Sequence, residues 1–214
     1  MTCPYCDPTK VKPGALIPTT SDMFYCQHCG RRLWPPKGSS DNKWDRYFHE
    51  ICRTVASKSP CLSRKIGAIL VRDHSIVSTG YNGPPRGIPH CGHQRYLKDR
   101  SLSEIVASHP KPIDLSRLSN ECPRRVLGYE SGTHTELCPA QHAEENAVSN
   151  AARIGASTIG TTLYLNSIVP CKNCFGTLIN AGIVEIVVES TTFYDSLTKF
   201  LYANSSIKIR EFEL

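Results

Sequence analysis

Two short stretches of this chain contain residues whose types and spacing suit chemistry at a metal ion. In PAQHAEENAV, His142 and Glu144 stand two positions apart, and in VPCKNCFGTL a cysteine pair follows Pro170. Three histidine and cysteine ligands leave the fourth tetrahedral position of a zinc ion open for a water, whose pKa the metal lowers to about 7. The motifs therefore predict a catalytic zinc held by His142, Cys171 and Cys174. Glu144, close to the metal but free of it, is the predicted proton shuttle.

Both motifs are predicted to stand at the start of a helix, the first ended by Gly155 and the second by Gly182. A helix N-terminus presents free backbone N–H groups and the positive end of the helix dipole. This environment lowers the pKa of a thiol and favours the thiolate that binds metal. Pro170 presets the backbone at the start of the second helix. A core histidine and a chance Cys-x-x-Cys are the alternative, which the shared helical context disfavours.

The elements that must hold these motifs alternate between helix and strand. An apolar stripe at helical spacing predicts a helix in NKWDRYFHEICRTVASKS. IGAILVRD and SIVSTGYN are β-rich runs joined at Asp73-His74, which predicts a hairpin. Downstream, the strands TTLYLN, VEIVVES and SIKIREF alternate with the two motif helices and a third helix, FYDSLTKFLYAN. This alternation predicts an α/β fold with some parallel strands.

Residues 1–38 are predicted to form a separate zinc-binding module. So short a segment cannot build its own hydrophobic core, and a structural zinc would supply the folding energy, with unliganded cysteines as the alternative. Its four predicted ligands are Cys3, Cys6, Cys26 and Cys29. PPKGSSDN links the module to a catalytic domain over residues 43–214. Within that domain, residues 94–121 are predicted to be an insertion with few large apolar groups and one short helix around Leu102 to Ala107.

Composition restricts the class of protein. The chain has 214 residues, a formal net charge of +6 and 11 cysteines. The mild positive charge favours anionic ligands such as nucleotides. No apolar run approaches the roughly 20 residues of a membrane helix, and MTCPYCDPTK lacks the apolar core of a signal peptide, so we expect a cytoplasmic protein without a membrane partner. In that compartment an odd number of cysteines with Cys-x-x-Cys spacing indicates metal binding over disulfides.

The motifs resemble those of the cytidine deaminase-like superfamily, and more closely those of the deoxycytidylate (dCMP) deaminases. H-x-E followed by P-C-x-x-C is the signature of zinc nucleobase deaminases. CLSRKIGAILV, STGYNGPP, His90-Cys91 and SGTHTELCPAQHAE extend the resemblance over about residues 44–190. It implies a three-layer α/β/α fold with a mixed five-stranded sheet. The long spacing from Cys91 to Cys122 and the N-terminal module depart from the family pattern.

The resemblance also implies roles for single residues. It assigns the catalytic zinc to His142, Cys171 and Cys174, and the proton shuttle to Glu144. A second structural zinc is implied at Cys61, Cys91, Cys122 and Cys138, with His90, His93 and His134 as substitutes. Substrate contacts are expected from Asn82, Arg64 and Ala143. The basic candidates for contacting a 5′-phosphate are Arg64, Lys65 and Arg86. A regulatory dCTP or dTTP, accompanied by Mg²⁺, is expected at Tyr81 and Gly83.

The function that the resemblance implies is hydrolytic deamination of dCMP to dUMP and ammonia by a homo-oligomer, supplying thymidylate synthesis. A second hypothesis is a deaminase of tRNA or single-stranded DNA whose N-terminal zinc module binds nucleic acid. That hypothesis needs a basic and aromatic groove, yet aromatics make up 8% of the chain and show no repeated pairing with Lys or Arg. A third, a non-enzymatic zinc-ribbon adaptor, leaves Glu144 without a role. We therefore expect an enzyme that acts on a free nucleotide.

Overall fold

The computed structural model describes residues 42–130 and 132–214 and, before them, the backbone of three short strands. Leu16–Pro18 (β1), Phe24–Cys26 (β2) and Arg32–Leu33 (β3) pair antiparallel in the order β1-β2-β3. The chain divides into two units, Met1–Asp41 and Asn42–Leu214. The predicted zinc of the N-terminal module falls outside the described residues, since these do not include Cys3, Cys6, Cys29 or the side chain of Cys26. It stays a prediction.

The second unit alternates helices and strands as its sequence pattern predicts. The α-helices are Asn42–Ser57 (α1), His93–Lys98 (α2), Arg100–Ala107 (α3), Pro123–Val126 (α4), Ala143–Arg153 (α5), Lys172–Asn180 (α6) and Ser196–Ala203 (α7). The strands are Gly67–Arg72 (β4), Ser75–Tyr81 (β5), Thr162–Ile168 (β6), Glu185–Ser190 (β7) and Lys208–Glu211 (β8). Two 3₁₀ turns cover Arg117–Ser119 and Thr135–Leu137. Among the described helices, none has both the length and the hydrophobicity needed to cross a membrane.

The five strands of this unit form one mixed sheet in the order β5-β4-β6-β7-β8. β4 pairs antiparallel with both β5 and β6, whereas β6, β7 and β8 run parallel. The hairpin predicted between β4 and β5 is present. Asp73 and His74 form its turn with φ values of 50° and 58°, the left-handed conformation that two-residue hairpin turns of this type require.

Both faces of the sheet are covered by helices, which explains the nearly continuous apolar runs in its strands. Ala68 and Leu70 of β4 face a cluster that includes residues of α5 and α6. Ile69 and Val71 face the opposite cluster, where Phe48 of α1 is fully buried. The predicted three-layer α/β/α fold with a mixed five-stranded sheet is therefore confirmed.

The segment between β5 and α5 has a small hydrophobic core of its own. Leu102 and Leu118 are buried there together with Val126 and Leu127, so the few apolar residues of the predicted insertion gather in one place. The helix predicted around Leu102 is present as α3, whose N-terminus is capped by Asp99. α2 has no apolar stripe that would have predicted it. It is held by packing and by an ion pair between the largely buried Arg95 and Asp99, 3.0 Å apart.

Candidate active site

The two motif helices begin at the same edge of the sheet. β5 and β6 both run antiparallel to β4 and therefore point the same way, so their carboxyl ends lie at one edge. The loop after β5 is tied to the start of α5 by two backbone hydrogen bonds between Gly83 and Gln141, of 3.1 and 2.9 Å. α6 begins shortly after β6 at Lys172, with Cys171 as its N-cap residue. His142 and the cysteine pair, separated by 29 residues or more, meet there because of this strand direction.

The three predicted zinc ligands are close together in space. The Nδ1 atom of His142 lies 3.6 Å from the Sγ of Cys171 and 3.2 Å from the Sγ of Cys174. A tetrahedral zinc with bonds of about 2.0–2.3 Å separates its ligand atoms by roughly 3.5 Å. Within the described part of the chain, this is the one group of three or more potential ligands whose atoms all lie within 4.8 Å of one another. The residues present therefore fit a zinc ion with one open position.

Hydrogen bonds inside the cluster place negative charge on one thiol. A hydrogen bond from Cys174 and a second from His142 lower the pKa of Cys171 to about 4, against the effect of burial. The same contact with Cys171, together with burial, raises the pKa of Cys174. The hydrogen bond with Cys171 raises the pKa of His142 to about 9. Cys171 is therefore a thiolate at neutral pH, which is the form that binds metal.

Glu144 lies on the first turn of α5, two residues after the predicted zinc ligand His142, and only 6% of its surface is exposed. Burial raises the pKa of its carboxyl group, and the charge on His142 opposes that shift. A carboxyl group whose pKa is raised toward neutral pH can both release and accept a proton there more readily than an ordinary glutamate, which stays ionised. Glu144 lines the same cavity as His142 and Cys171, where it can reach a substrate bound beside the metal ligands.

The close approach of α5 to β5 positions this carboxylate. A Cβ atom added to Gly80 would lie 2.3 Å from the carbonyl oxygen of Ala143 and 2.3 Å from the backbone nitrogen of Ala147. The Oγ of Ser78 donates to the Ala147 carbonyl at 2.7 Å, and the Nδ2 of Asn146 donates to the Tyr81 carbonyl at 2.8 Å. Only a residue without a side chain permits this packing at position 80.

Gly80→Ala is expected to destabilise the protein by about 3 kcal/mol, the upper end of the range for overpacking, because backbone and not a flexible side chain blocks the new methyl group. For a chain of this size the loss lowers Tm by roughly 6–12 °C, which calorimetry measures. Gly176→Ala on α6 is the matched control, since nothing lies within 4 Å of its added Cβ. An unchanged Tm for Gly80→Ala would contradict the packing described here.

Comparison with known proteins assigns the family. The family model described as the cytidine and deoxycytidylate deaminase zinc-binding region matches residues 42–190. This chain belongs to that family. The match includes the cluster of His142, Cys171 and Cys174 described above, so the family's zinc-binding region and the geometric site coincide.

Several curated members of the cytidine and deoxycytidylate deaminase family are similar to this chain. Deoxycytidylate deaminase of Schizosaccharomyces pombe is 30% identical over 171 residues, covering 79% of this chain and 44% of the relative. That of Enterobacteria phage T4 is 35% identical over 149 residues, covering 66% of this chain and 75% of the relative. The chain thus spans less than half the length of the S. pombe protein and of its Saccharomyces cerevisiae counterpart, which is covered to 45%.

A solved family structure shows the same fold. The dCMP deaminase of cyanophage S-TIM5, in complex with dCMP and dUMP, superposes with a TM-score of 0.54 at 18% identity. The match covers 81% of this chain and 99% of that structure.

The remaining site residues expected of a deaminase in this family lie in different places. The cavity lined by His142, Glu144 and Cys171 is the candidate catalytic cavity. Asn82, Arg64 and Ala143 all line it as well. The Oδ1 of Asn82 accepts hydrogen bonds from Ser59 Oγ at 2.6 Å and from Ile66 N at 2.9 Å, and its Nδ2 donates to the Arg64 carbonyl at 2.9 Å. These three bonds fix the amide and leave its second N–H for a ligand.

Other predicted contacts lie away from the cavity. Lys65 lines a separate cavity at the carboxyl ends of β6 and β7. Arg86 donates to the Oδ1 of Asn150 at 3.2 Å. Tyr81 and Gly83, the predicted regulatory positions, are not among the lining residues of the catalytic cavity, and Tyr81 is 42% exposed.

The cysteines expected at a second zinc lie around the catalytic cavity without forming a ligand cluster as tight as the first. Cys61, Cys122 and Cys138 line the cavity, and Cys91 is near enough to Cys122 and Cys138 for their charges to affect its pKa. Burial is the largest effect and raises the pKa of Cys91. The second zinc site stays a prediction.

The histidines named as substitutes differ in their surroundings. His90 has a buried Nε2 without a hydrogen-bond partner among the described residues. His134 stacks on Tyr129 and contacts the Oε1 of Glu136 at 3.0 Å. An unpartnered buried ring nitrogen is the kind of atom that a metal ion satisfies, so His90 suits a ligand role better than His134.

Arg124 and Tyr194 are among the residues of the catalytic cavity that sequence reasoning did not identify. Arg124 is one of two adjacent arginines in CPRR, and nothing in that pattern distinguishes it from Arg125. Tyr194 follows β7 in a stretch without a recognisable motif. Both reach the cavity through packing between distant parts of the chain.

Proposed function

We propose that this chain is a zinc-dependent hydrolytic deaminase that converts dCMP to dUMP and ammonia. The observation that carries the proposal is the placement of the buried Glu144 in one cavity with the histidine and cysteine ligands. Relatives of this chain are named deoxycytidylate deaminases, and the S-TIM5 structure holds dCMP and dUMP. The substrate is assigned by that similarity and the chemistry by the site.

His142, Cys171 and Cys174 would hold the zinc, which when bound supplies an activated water for attack on C4 of the cytosine ring. Glu144 takes up, one after the other, the two protons that this water loses; it delivers the first to N3 and the second to the exocyclic amino group, which leaves as ammonia. One water is consumed and one ammonia is released, so the ring becomes a uracil. Asn82, held by its three hydrogen bonds, presents its remaining N–H to the substrate.

Ammonia release from a substrate panel tests the proposal. We expect the full chain to act on dCMP with a higher kcat/KM than on CMP, dCTP, deoxycytidine or an oligonucleotide that contains deoxycytidine. Preference for the oligonucleotide would replace this proposal by the second hypothesis, a nucleic-acid deaminase. No ammonia from any substrate with zinc-loaded protein would overturn both.

We further propose two structural zinc ions, giving three per chain with the catalytic one. One would be held by the N-terminal cysteines, and the other by Cys61, Cys91, Cys122 and Cys138 or by His90 in place of one of them. The support for the second is the location of three of these cysteines around the cavity and the unpartnered Nε2 of His90. Elemental analysis of the purified chain counts the zinc ions, and a value of one per chain would rule out both structural sites.

Regulation by dCTP or dTTP with Mg²⁺ at Tyr81 and Gly83, in a homo-oligomer, is also proposed. The backbone bonds from Gly83 to Gln141 connect this loop to the residue before His142. A nucleotide bound at the loop would therefore act directly on the position of a zinc ligand. dCMP assays with and without each triphosphate, and the mass of the assembly by light scattering, test this part.

A further inference from the structure

The first backbone N–H of helix α6 is bound by a carboxylate from a distant part of the chain. α6 begins at Lys172, directly after its N-cap residue, the predicted zinc ligand Cys171. The first N–H groups of a helix have no acceptor within the helix, and an N-cap side chain reaches only that of the second or third helical residue. The N–H of Lys172 donates instead to Oδ2 of Asp195, 23 positions away, at 3.1 Å. This hydrogen bond fixes the peptide unit between Cys171 and Lys172.

The carboxylate of Asp195 is itself held in place by the next helix. Asp195 is the N-cap residue of α7, where its Oδ1 accepts from the backbone nitrogen of Thr198 at 2.7 Å. Its Oδ2 also accepts from the Oγ1 of Thr198 at 2.9 Å. Thr198 is fully buried, so the carboxylate is anchored to the interior of the domain. One side chain therefore binds the N-termini of both α6 and α7.

The loop between β7 and α7, residues 191–195, holds the segment around Cys171 on both sides. Before Cys171, the backbone nitrogen of Val169 donates to the Thr192 carbonyl at 3.2 Å. After Cys171 comes the bond from Lys172 to Asp195. Of these two attachments, only the second is made by a side chain, so a substitution can remove it alone.

The position of Asp195 connects it to the predicted metal ligand and not to the substrate. Its neighbour Tyr194 lines the catalytic cavity, whereas Asp195 is not among the described residues that do so. A ligand whose backbone is already fixed loses less conformational freedom when the metal binds. Partners that orient a metal ligand in this way typically contribute about 10- to 100-fold to metal affinity.

We propose that Asp195 is a positioning residue of the catalytic zinc site, which holds Cys171 in the orientation that binds the metal. This rests on the zinc site of the proposed function and is independent of which substrate is deaminated. Asp195 acts through Cys171 on the affinity for zinc, and it has no part in proton transfer.

Asp195→Ser tests the proposal in the full chain. Serine is an equally good N-cap for α7, but its side chain is too short to reach Lys172. Thr198→Val is the matched control, since it removes one hydrogen bond to the same carboxylate and leaves the bond from Lys172 in place. Asp195→Asn keeps the size of the side chain with one acceptor oxygen, and we expect it to fall between wild type and Asp195→Ser.

The measurement is competition for zinc with a chromophoric chelator. The zinc that is absent from Cys171→Ala identifies the catalytic site among the ions of the chain. For that zinc we expect Asp195→Ser to raise the Kd by about 10- to 100-fold and Thr198→Val to leave it within about three-fold. Deamination lost at limiting zinc should return when zinc is added to Asp195→Ser, which a general folding defect would not allow.

Unchanged zinc affinity in both Asp195 variants would overturn the proposal, and Asp195 would then only cap helices. Equal losses of affinity in Asp195→Ser and Thr198→Val would also overturn it, because the bond to Lys172 would not be responsible. If zinc affinity falls as expected but wild type releases no ammonia from dCMP, the positioning role stands and the proposed activity falls. If Cys171→Ala loses no zinc, both fall.

Discussion

Glu144→Gln is expected to lower the kcat for dCMP by about 10⁴-fold, the upper end of the range for a general acid–base group, because the amide carries no transferable proton and the carboxylate acts more than once in each cycle. The side chains have nearly the same shape, so zinc content and dUMP affinity should be retained. Ammonia release under saturating dCMP measures the loss.

Glu145→Gln is the matched control for this prediction. Glu145 is the next residue on α5 but does not line the catalytic cavity. We expect its kcat to remain within a few-fold of wild type. If Glu144→Gln retained near wild-type turnover with zinc in place, Glu144 would not be the proton shuttle.

Cys171→Ala is expected to remove the catalytic zinc and with it all detectable deamination. Cys171 is the thiolate of the cluster, with its pKa lowered to about 4 by hydrogen bonds from Cys174 and His142. Alanine leaves two ligands of unlike type, His142 and Cys174, and two ligands hold zinc far more weakly than three. The measurement is zinc per chain by elemental analysis, which should fall by one, from three to two.

Cys52→Ala controls for general effects of replacing a cysteine. Cys52 is a fully buried residue of α1 whose thiol donates to the Tyr164 carbonyl at 3.3 Å, on the face of the sheet opposite to α5. We expect this variant to keep the wild-type zinc count and turnover. An unchanged zinc count in Cys171→Ala would show that the metal is held elsewhere.

Local sequence signals were sufficient to predict the helices and strands that hold the catalytic motifs. His142 and Glu144 are two residues apart at the start of one helix, so their proximity follows from the helix itself. Asp73-His74 between two β-rich runs predicted the hairpin of β4 and β5, because backbone preferences act within a few residues. The alternation of helices and strands predicted an α/β fold with some parallel strands.

Tertiary structure alone decided which of the scattered polar residues meet at the cavity. Lys65 and Arg86 carry the same charge as Arg64, yet only Arg64 of these three lines the catalytic cavity. Arg124 and Arg125 are adjacent in sequence, and the burial of Val126 and Leu127 determines which of them turns toward the site.

α2 was also not predictable from the sequence, because it has no apolar stripe. Packing and the ion pair between Arg95 and Asp99 support this helix. Helix starts, turns and apolar alternation depend on neighbours along the chain and are therefore visible in the sequence. The meeting of residues dozens of positions apart depends on strand direction and on the fit of one element against another. A linear pattern does not contain that information. The zinc ligands were predictable although they are 29 or more residues apart, because H-x-E and P-C-x-x-C are each a recognisable motif. No motif marks Arg124, and nothing in the sequence separated it from Arg125.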